Sequence, residues 1–405
     1  MRLLILTQYF PPETGAPQAR LSETALRLQQ MGVAVEVLTA MPSYPTGRVF
    51  GAWRGRAFMR DQWQSLPVLR AFAYPTQSPR TLPRLLSYFS FVASSTLAGL
   101  FMARRCDVVL VESPPLFLGL AGLVLARLKR ARLVLNVSDL WPETAVALGL
   151  YARDSRAVRL AEVLERMLYR RAQVVTGQSD GIVRGVLDKH PAARAMLVPG
   201  GVDCERFDPL RRDRPRLDAL GAGGRIVVGY AGLLGIAQGV GFLLQVAERL
   251  RDRDDLCFVI IGDGPERETL RRQAGANVIF AGLRPKEEMP ALVAAFDLAF
   301  IPLVSPIPGA LPSKMYEAMA CGVPIVLAAE GDPRALLERA GCGMHVAYGD
   351  LPGAVAAVTR LADDRALASA LGQAGRDHVT RHHRRERIAE RMHEALARAI
   401  EDPAR

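Results

Sequence analysis

The chain has 405 residues, of which 50% are hydrophobic and 23% charged, so it has the composition of a globular protein but is too long for one compact core. Its five cysteines are scattered without paired spacing, which excludes a disulfide framework and a zinc site and indicates a reducing compartment. The net charge of +11 indicates an anionic partner. Phosphorylated ligands and anionic membranes fit this charge better than nucleic acid, because the sequence has no nucleic-acid-binding motif.

The first elements predict a β-α-β unit, with a strand over 3–7, a helix over about 18–31 and a strand over 33–38. The apolar start is too short for a signal peptide. Ligands of such units bind at the carboxyl ends of the strands. In the loop before the helix, Gly15 allows the backbone to approach a phosphate closely. Glu13 in this loop is either a catalytic or acceptor-binding carboxylate or a solvated loop charge.

Arginines and aromatic residues then accumulate. Seven arginines lie between 48 and 84 against one acid, Asp61, and aromatic residues are interleaved with them. The stretch 85–103 has no charge and is long enough for a membrane span. Its serines and the strand pattern that follows favour a helix packed inside the first domain. Together with the basic stretch, it also fits a surface that holds the protein on anionic lipid without crossing it.

Polar residues follow the strand predicted over 133–137. Asp139 either steers an acceptor hydroxyl or acts as a base, or it forms a plain Asx-turn. Glu143 fits better as a cap of the following helix. Because polar residues at the carboxyl end of a strand are where α/β enzymes place their chemistry, we favour Asp139 as a site residue.

The second half repeats the α/β pattern, and we place the main domain boundary near residue 195. The strand over 225–231 runs into a glycine loop that includes Gly232 and Gln238. The strand over 258–261 runs into Gly262 and Gly264. Such turns suit phosphate binding, although glycine loops occur widely. Arg284, after the next strand, either lies beside the bound base or is a solvated loop residue.

The segment 311–326 predicts a loop, a short helix and a buried strand. Leu311 and Pro312 lead into the helix, and Ser313 is the expected N-cap. A capped helix start offers backbone N–H groups and a positive dipole end to an anion, and Lys314 adds a full charge there. Glu317, one turn later, is placed to accept two ribose hydroxyls. On periodicity alone, an ordinary capped amphipathic helix with Met315 and Met319 facing the core is the favoured interpretation.

Several stretches carry a family resemblance: 9–17 (Tyr-Phe-Pro-Pro-Glu-Thr-Gly-Ala-Pro), 41–47, 138–143 (Ser-Asp-Leu-Trp-Pro-Glu), 197–203, 262–265, 306–326 and 340–343. They resemble the motifs of glycosyltransferase family 4. The resemblance is to the bacterial surface-polysaccharide branch, which includes fucosamine transferases of O-antigen and colanic-acid pathways. Two positions depart from the common pattern. Gly309 stands where many members carry a second Glu, and Gln238 stands where Lys is frequent, which leaves more of the diphosphate charge to Lys314 and Arg284.

The resemblance implies the GT-B fold, an α/β architecture of two Rossmann-like domains with parallel sheets facing an interdomain cleft. Residues 1–195 would bind the acceptor and residues 196–375 the nucleotide sugar, while the helix of 376–405 would return to the first domain. The implied catalytic residues are Asp139, Glu13 and Lys314. The implied donor-binding residues are Gly15, Gly232, Gln238, Gly262, Gly264, Arg284, Leu311, Pro312, Ser313, Lys314 and Glu317.

The predicted reaction moves a hexosyl or N-acetylhexosaminyl group from a nucleoside diphosphate sugar, expected to be UDP-linked, to a lipid-diphosphate-linked or saccharide acceptor in cell-surface polysaccharide biosynthesis. Retention of configuration is a family property. No Asp-x-Asp metal pair stands where one would be needed, so we expect no cofactor and no essential metal. The expected location is cytoplasmic, peripheral on the inner face of the membrane.

Two other functions remain open. A nucleotide-sugar 2-epimerase can share this fold and diphosphate site, and a non-enzymatic lipid- or nucleic-acid-binding role would need no donor. A dinucleotide oxidoreductase is disfavoured, because no GxGxxG follows the first strand.

Overall fold

The computed structural model describes residues 1–44, 46–78, 80–304 and 307–401, with the backbone alone at residue 16. The chain divides into two compact units, residues 1–199 with 386–405, and residues 200–385. Each is a β-sheet with helices on both faces. The sequence-based boundary at 195 lies close to the first division. The boundary at 375 is about ten residues too early, because it falls inside a helix that continues to His382.

The first unit is built on an eight-stranded sheet of order β3-β4-β2-β1-β5-β6-β7-β8, in which β3 alone runs antiparallel to its neighbour. Its elements are β1 Arg2–Leu6, α1 Ala16–Gln30, β2 Ala34–Ala40, β3 Phe58–Trp63, β4 Leu66–Ala71, α2 Thr81–Phe101, β5 Val108–Ser113, α3 Leu118–Lys129, β6 Arg132–Val137, α4 Glu143–Ala147, α5 Arg156–Arg171, β7 Val174–Gly177, α6 Asp180–Lys189 and β8 Ala195–Leu197. The central strands are continuous apolar runs because helices cover both faces of the sheet.

The second unit has a six-stranded, entirely parallel sheet of order β11-β10-β9-β12-β13-β14. Its elements are α7 Arg214–Leu217, β9 Ile226–Ala231, α8 Gly241–Arg249, β10 Leu256–Ile261, α9 Arg267–Gln273, β11 Val278–Gly282, α10 Met289–Ala294, β12 Leu298–Pro302, α11 Ser313–Ala320, β13 Ile325–Ala328, α12 Asp332–Ala340, β14 Gly343–Val346, α13 Leu351–Asp363 and α14 Arg365–His382. The predicted class, two α/β domains with parallel sheets, is confirmed.

The last helix, α15 Arg385–Glu401, joins the first unit from Glu386 onwards. Its apolar side, including Ile388, Met392 and Leu396, packs into the same core as Leu3 of β1. The structure therefore uses the end of the chain to cover one face of the first sheet.

The uncharged stretch 85–103 is mostly helical and belongs to α2. Phe91, Ser95 and Ala98 are buried on its inner side, so the packed-helix interpretation holds for that side. Within the described ranges, no helix is both long and apolar enough to cross a membrane.

The sequence suggested that the arginines and aromatic residues before α2 form one surface. The structure contradicts this. Arg70 is 1% exposed and pairs with Asp61 at 2.6 Å. Trp53 lies 5.3 Å from the Arg70 guanidinium and donates to Asp61. The sequence analysis missed the β3–β4 hairpin, whose turn places Gln64 at φ 51° and which turns Arg70 inward.

Candidate active site

In the second unit, the loops after β9 and β10 meet backbone to backbone. The Gly232 N–H donates to the Ile261 carbonyl at 2.9 Å, and the Gly262 N–H donates to the Gly282 carbonyl at 3.0 Å. A Cβ at Gly262, which has φ 143°, would lie 1.9 Å from the Gly232 oxygen. A Cβ on Gly264 would lie 2.3 Å from the Leu234 oxygen. These glycines are therefore required by loop packing, whether or not a phosphate binds there.

Lys314 reaches this meeting point from the first turn of α11. Its Nζ donates to the Tyr230 hydroxyl at 2.8 Å and lies 4.2 Å from the centroid of that ring. Tyr230 in turn donates to the Leu233 carbonyl at 2.7 Å. A Cβ on Gly232 would lie 3.3 Å from Lys314 Cε, so the lysine side chain lies directly against the glycine turn.

Both charged residues of α11 have shifted pKa values. Burial lowers the pKa of Lys314 to about 7, and the nearby Glu317 carboxylate opposes this shift. Burial raises the pKa of Glu317 to about 7, opposed by the positive charges of Arg385, Lys314, Arg206 and Lys286. Neither group is therefore held firmly in its charged form at neutral pH, and a ligand that pairs with one of them changes its protonation.

The Glu317 carboxylate makes no hydrogen bond or ion pair with any residue the structure describes. It lines a small cavity together with Tyr230, Phe296 and Lys314. A half-buried carboxylate without an internal donor has its oxygens available for hydroxyl donors of a ligand.

The predicted N-cap is wrong. Pro312 occupies the N-cap position in extended conformation, and Ser313 is the first helical residue, exposed and without a capping bond. Pro312 combines a helix-compatible φ of −64° with an extended ψ of 126°, so helical angles begin only at Ser313. The first turn therefore has no side-chain cap. The Met315 N–H donates to the Pro312 carbonyl at 3.1 Å, which leaves the N–H groups of Ser313 and Lys314 for an anion.

The neighbouring predicted residues lie at the same sheet edge. Leu311 is half-buried against the core, and Gly309 has φ 72° in the preceding turn. Residue 306 of the quoted motif lies outside the described residues. Gln238 ends a short 3-10 turn after β9. Arg284 follows β11, and its Nε–H donates a hydrogen bond to the Ala281 carbonyl at 3.0 Å.

The order β11-β10-β9-β12 explains why these residues meet. Arg284 follows β11, Gly262 follows β10, Gly232 follows β9, and α11 follows β12, so all lie at the carboxyl edge of four adjacent parallel strands. Sequence reasoning missed Tyr230. Its signal is weak, because an aromatic residue in a buried strand is expected simply to fill the core.

In the first unit, Glu13 connects two loops. Its carboxylate accepts backbone N–H bonds from Ser43 and Tyr44 at 2.8 Å each and from Phe10 at 3.3 Å. The residue is 5% exposed, so the solvated-charge interpretation is wrong. Burial raises the pKa of Glu13, and the three N–H donors and the charge of Arg70 oppose that shift. Residue 45 of the quoted 41–47 motif lies outside the described residues.

Asp139 is half-buried after β6 and accepts a hydrogen bond from the Thr144 hydroxyl. Burial raises its pKa to about 6, against the lowering effect of Thr144 and of the Leu140 N–H. Glu143 is not the N-cap of α4, a position held by Pro142, and instead pairs with Lys189 at 2.6 Å. Asp139 is thus a carboxyl group that can exchange a proton near neutral pH.

Gly15 lies at the start of α1 in extended conformation. A Cβ there would lie 2.4 Å from Gln18 Oε1, so the glycine makes room for the Gln18 side chain. The Gln18 oxygen is buried and has no partner among the described residues. This helix start is therefore partly filled by the protein's own amide.

Sequence reasoning also missed a buried polar chain at this edge. Arg20 of α1 pairs with Glu112 at the end of β5, Asn136 of β6 donates to Glu112, and Thr176 of β7 donates to Asn136. These bonds fix α1 against three strand ends beside Asp139. The roles predicted for Glu13, Gly15 and Asp139 in catalysis and binding stay predictions, as does the absence of an essential metal.

Comparison with known proteins identifies the family of this chain. A model described as "Glycosyl transferase 4-like domain" matches residues 15–201, and one described as "Glycosyl transferases group 1" matches residues 225–364. A putative colanic acid biosynthesis glycosyl transferase, WcaI, from Escherichia coli K12 is 28% identical over 82% of this chain and 84% of its own. A probable glycosyltransferase, WbjE, from Pseudomonas aeruginosa is 27% identical over 65% of this chain and 66% of its own.

Solved structures agree on the fold. The sucrose-phosphate synthase of Thermosynechococcus elongatus aligns with a TM-score of 0.76 at 18% identity, covering 98% of each chain. The Anabaena protein Alr3699/HepE in complex with UDP aligns with a TM-score of 0.74 at 18% identity, covering 98% of this chain and all of that one.

The two α/β units, their solved structural neighbours and the two family matches thus define a glycosyltransferase of the GT-B class. More narrowly, the chain belongs to glycosyltransferase family 4, with a 4-like first domain and a group 1 second domain, as its motifs predicted.

Proposed function

We propose that the protein transfers a hexosyl or N-acetylhexosaminyl group from a UDP-sugar to a hydroxyl of a lipid-diphosphate-linked saccharide in the synthesis of a cell-surface polysaccharide. The observation that carries the donor part is the position of Lys314 on α11 against the glycine turn after β9, with the carboxylate of Glu317 on the next turn of the same helix. The relatives WcaI and WbjE carry names of glycosyltransferases, and the HepE structure contains UDP.

In this proposal, the α11 start and Lys314 bind the diphosphate. Breaking the bond between the anomeric carbon and the diphosphate oxygen leaves negative charge on UDP, and a cation with open N–H groups beside it stabilises that charge. Glu317 accepts the two ribose hydroxyls, while Arg284 lies beside the base or the phosphates.

Asp139 lies in the acceptor-binding unit and accepts the proton of the acceptor hydroxyl as that oxygen forms the new glycosidic bond. Its half-buried position and its pKa of about 6 suit proton exchange near neutral pH. Glu13 supports this site by fixing the loops after β1 and β2. We propose that transfer retains the anomeric configuration, needs no metal and takes place on the inner face of the cell membrane.

The direct test supplies purified protein with UDP-sugars, with and without an acceptor saccharide on a polyprenyl diphosphate. We expect UDP release only when the acceptor is present. Conversion of the donor sugar without acceptor would instead identify an epimerase, a function that the relatives do not favour. Failure of every nucleoside diphosphate to bind in calorimetry would contradict the donor site itself.

A further inference from the structure

Helix α2 presents an uncharged outer side to solvent. Its exposed positions recur every three to four residues: Thr81, Leu82, Leu86, Phe89, Ala93, Leu97 and Phe101. Phe101 is 82% exposed and Leu82 is 68% exposed. A surface helix normally carries charged residues on this side, but Arg84 is the only charged residue in the whole of α2.

The neighbouring helix α3 extends this apolar surface. Val124 and Leu128 of α3 are also exposed. The Lys129 ammonium donates to the Ala103 carbonyl at 2.9 Å, so the ends of the two helices lie together and Leu128 is at the same end as Phe101. We name this surface the outer face; it consists of Leu82, Leu86, Phe89, Leu97, Phe101, Val124 and Leu128. Several large exposed apolar residues on adjoining helices mark an interaction surface.

Positive charge borders the outer face. Arg80 precedes α2, Arg104 and Arg105 follow it, and Arg127 and Arg130 lie at the end of α3, all of them exposed. No acid occurs in the sequence between 62 and 106 or between 113 and 138. Asp107, just beyond the first of these stretches, is paired with Arg2.

Exposed apolar residues bordered by arginines indicate which partner binds the outer face. We infer that the outer face lies on the surface of an anionic bilayer, with its apolar side chains among the acyl chains near the headgroups and its arginines on the lipid phosphates. A second copy would cover the apolar residues but would bring two rings of arginines together without acids between them, which opposes association. An anionic bilayer accommodates both the apolar and the basic groups.

The same helix connects this surface to the acceptor edge of the first sheet. Arg84 and Tyr88, on the first turns of α2, are half-buried and joined by a 3.3 Å hydrogen bond. Both are close enough to Tyr9, which follows β1, to perturb its pKa, so they lie near the carboxyl edge of the sheet. This step rests on the proposed function: a lipid-linked diphosphate held at this end of α2 would lie near Arg84.

Vesicle flotation of the full chain tests the inference. We expect the protein to float with vesicles of phosphatidylglycerol and phosphatidylcholine and only weakly with phosphatidylcholine alone. The variant Leu86→Ser/Leu97→Ser/Phe101→Ser should lose binding. Arg104→Glu/Arg105→Glu should weaken it by about 20-fold or more, since each basic residue near an anionic surface is worth about fivefold.

Matched controls lie in the second unit. Leu210 is 94% exposed and Arg360 is exposed on α13, so Leu210→Ser and Arg360→Glu should float like the wild type. Circular dichroism and urea unfolding of the full chain show whether each variant is folded. If the triple variant fails that check, Phe101→Ser alone should still reduce flotation. The Phe101 side chain is mostly exposed, so replacing it should not disturb the folded core.

The inference fails if the wild type does not float with anionic vesicles, or if the triple variant floats equally well. It also fails if the wild type forms a concentration-dependent dimer in sedimentation that Phe101→Ser abolishes, because the face would then belong to a second copy. Flotation without any sugar transfer would contradict the proposed function but would still support binding of the outer face to a bilayer.

Discussion

The Lys314 ammonium lies 2.8 Å from the Tyr230 hydroxyl and beside Gly232, with the Glu317 carboxylate one helical turn away. The Tyr230 hydroxyl donates a hydrogen bond to the Leu233 carbonyl, so its oxygen accepts the hydrogen bond from the lysine. The tyrosine thereby orients the lysine before any ligand arrives. An oriented cation at uncapped helix N–H groups is the feature from which the donor predictions follow.

Replacing Lys314 by Met should lower the affinity for UDP by about 10- to 100-fold, because a charge-assisted hydrogen bond to phosphate is lost. The affinity for uridine should change little, since uridine has no diphosphate. Calorimetry with both ligands measures the difference. Equal losses for UDP and uridine would mean that Lys314 does not bind the diphosphate.

Glu317→Gln should weaken UDP binding by about tenfold or more, because the amide offers one acceptor oxygen where the carboxylate offers two. The affinity of 2′,3′-dideoxy-UDP should be nearly the same for wild type and variant. Glu287→Gln, at an exposed residue of the same unit, is the control. An undiminished preference for the ribose hydroxyls in Glu317→Gln would exclude the predicted contact.

The shifted pKa of Lys314 predicts proton uptake on binding. Since burial lowers that pKa to about 7, part of the lysine is neutral at pH 7.0–8.0, and a bound diphosphate should raise the pKa and protonate it. Pyrophosphate affinity should therefore fall as the pH rises above about 7. Titrations in two buffers of different ionisation enthalpy measure the proton number, and uptake should disappear in Lys314→Met. A proton number of zero in the wild type would contradict the shifted lysine.

Parts of this site follow from the sequence for physical reasons. Leu256–Ile261 is a continuous buried apolar run ending in Gly262, so a strand and a tight turn are dictated locally. Glu13 is different, because its partners Ser43 and Tyr44 lie about 30 residues away in a loop without a regular pattern. The N-cap was missed for a smaller reason, since Pro312 and Ser313 are both compatible with a helix start.

Glu13→Gln distinguishes a loop clamp from a catalytic carboxylate. The amide group would turn one NH₂ towards backbone N–H donors, so we expect a loss of about 1–3 kcal/mol in the free energy of unfolding. UDP binding, which the second unit carries, should persist. Urea unfolding and calorimetry measure the two quantities. A variant with unchanged stability but abolished turnover would assign Glu13 to the chemistry instead.

Gly262→Ala tests the backbone contact under the donor site. An added Cβ would lie 1.9 Å from the Gly232 oxygen, and the φ of 143° is one that L side chains rarely adopt. The loops must separate, so we expect a loss of more than about 3 kcal/mol in the free energy of unfolding and no detectable UDP binding. Gly51→Ala is the matched control, because its Cβ would meet nothing within 4 Å, and its stability should stay within about 0.5 kcal/mol of wild type. If Gly262→Ala were as stable as this control and still bound UDP, the close approach of the two loops would not be a requirement of the donor site.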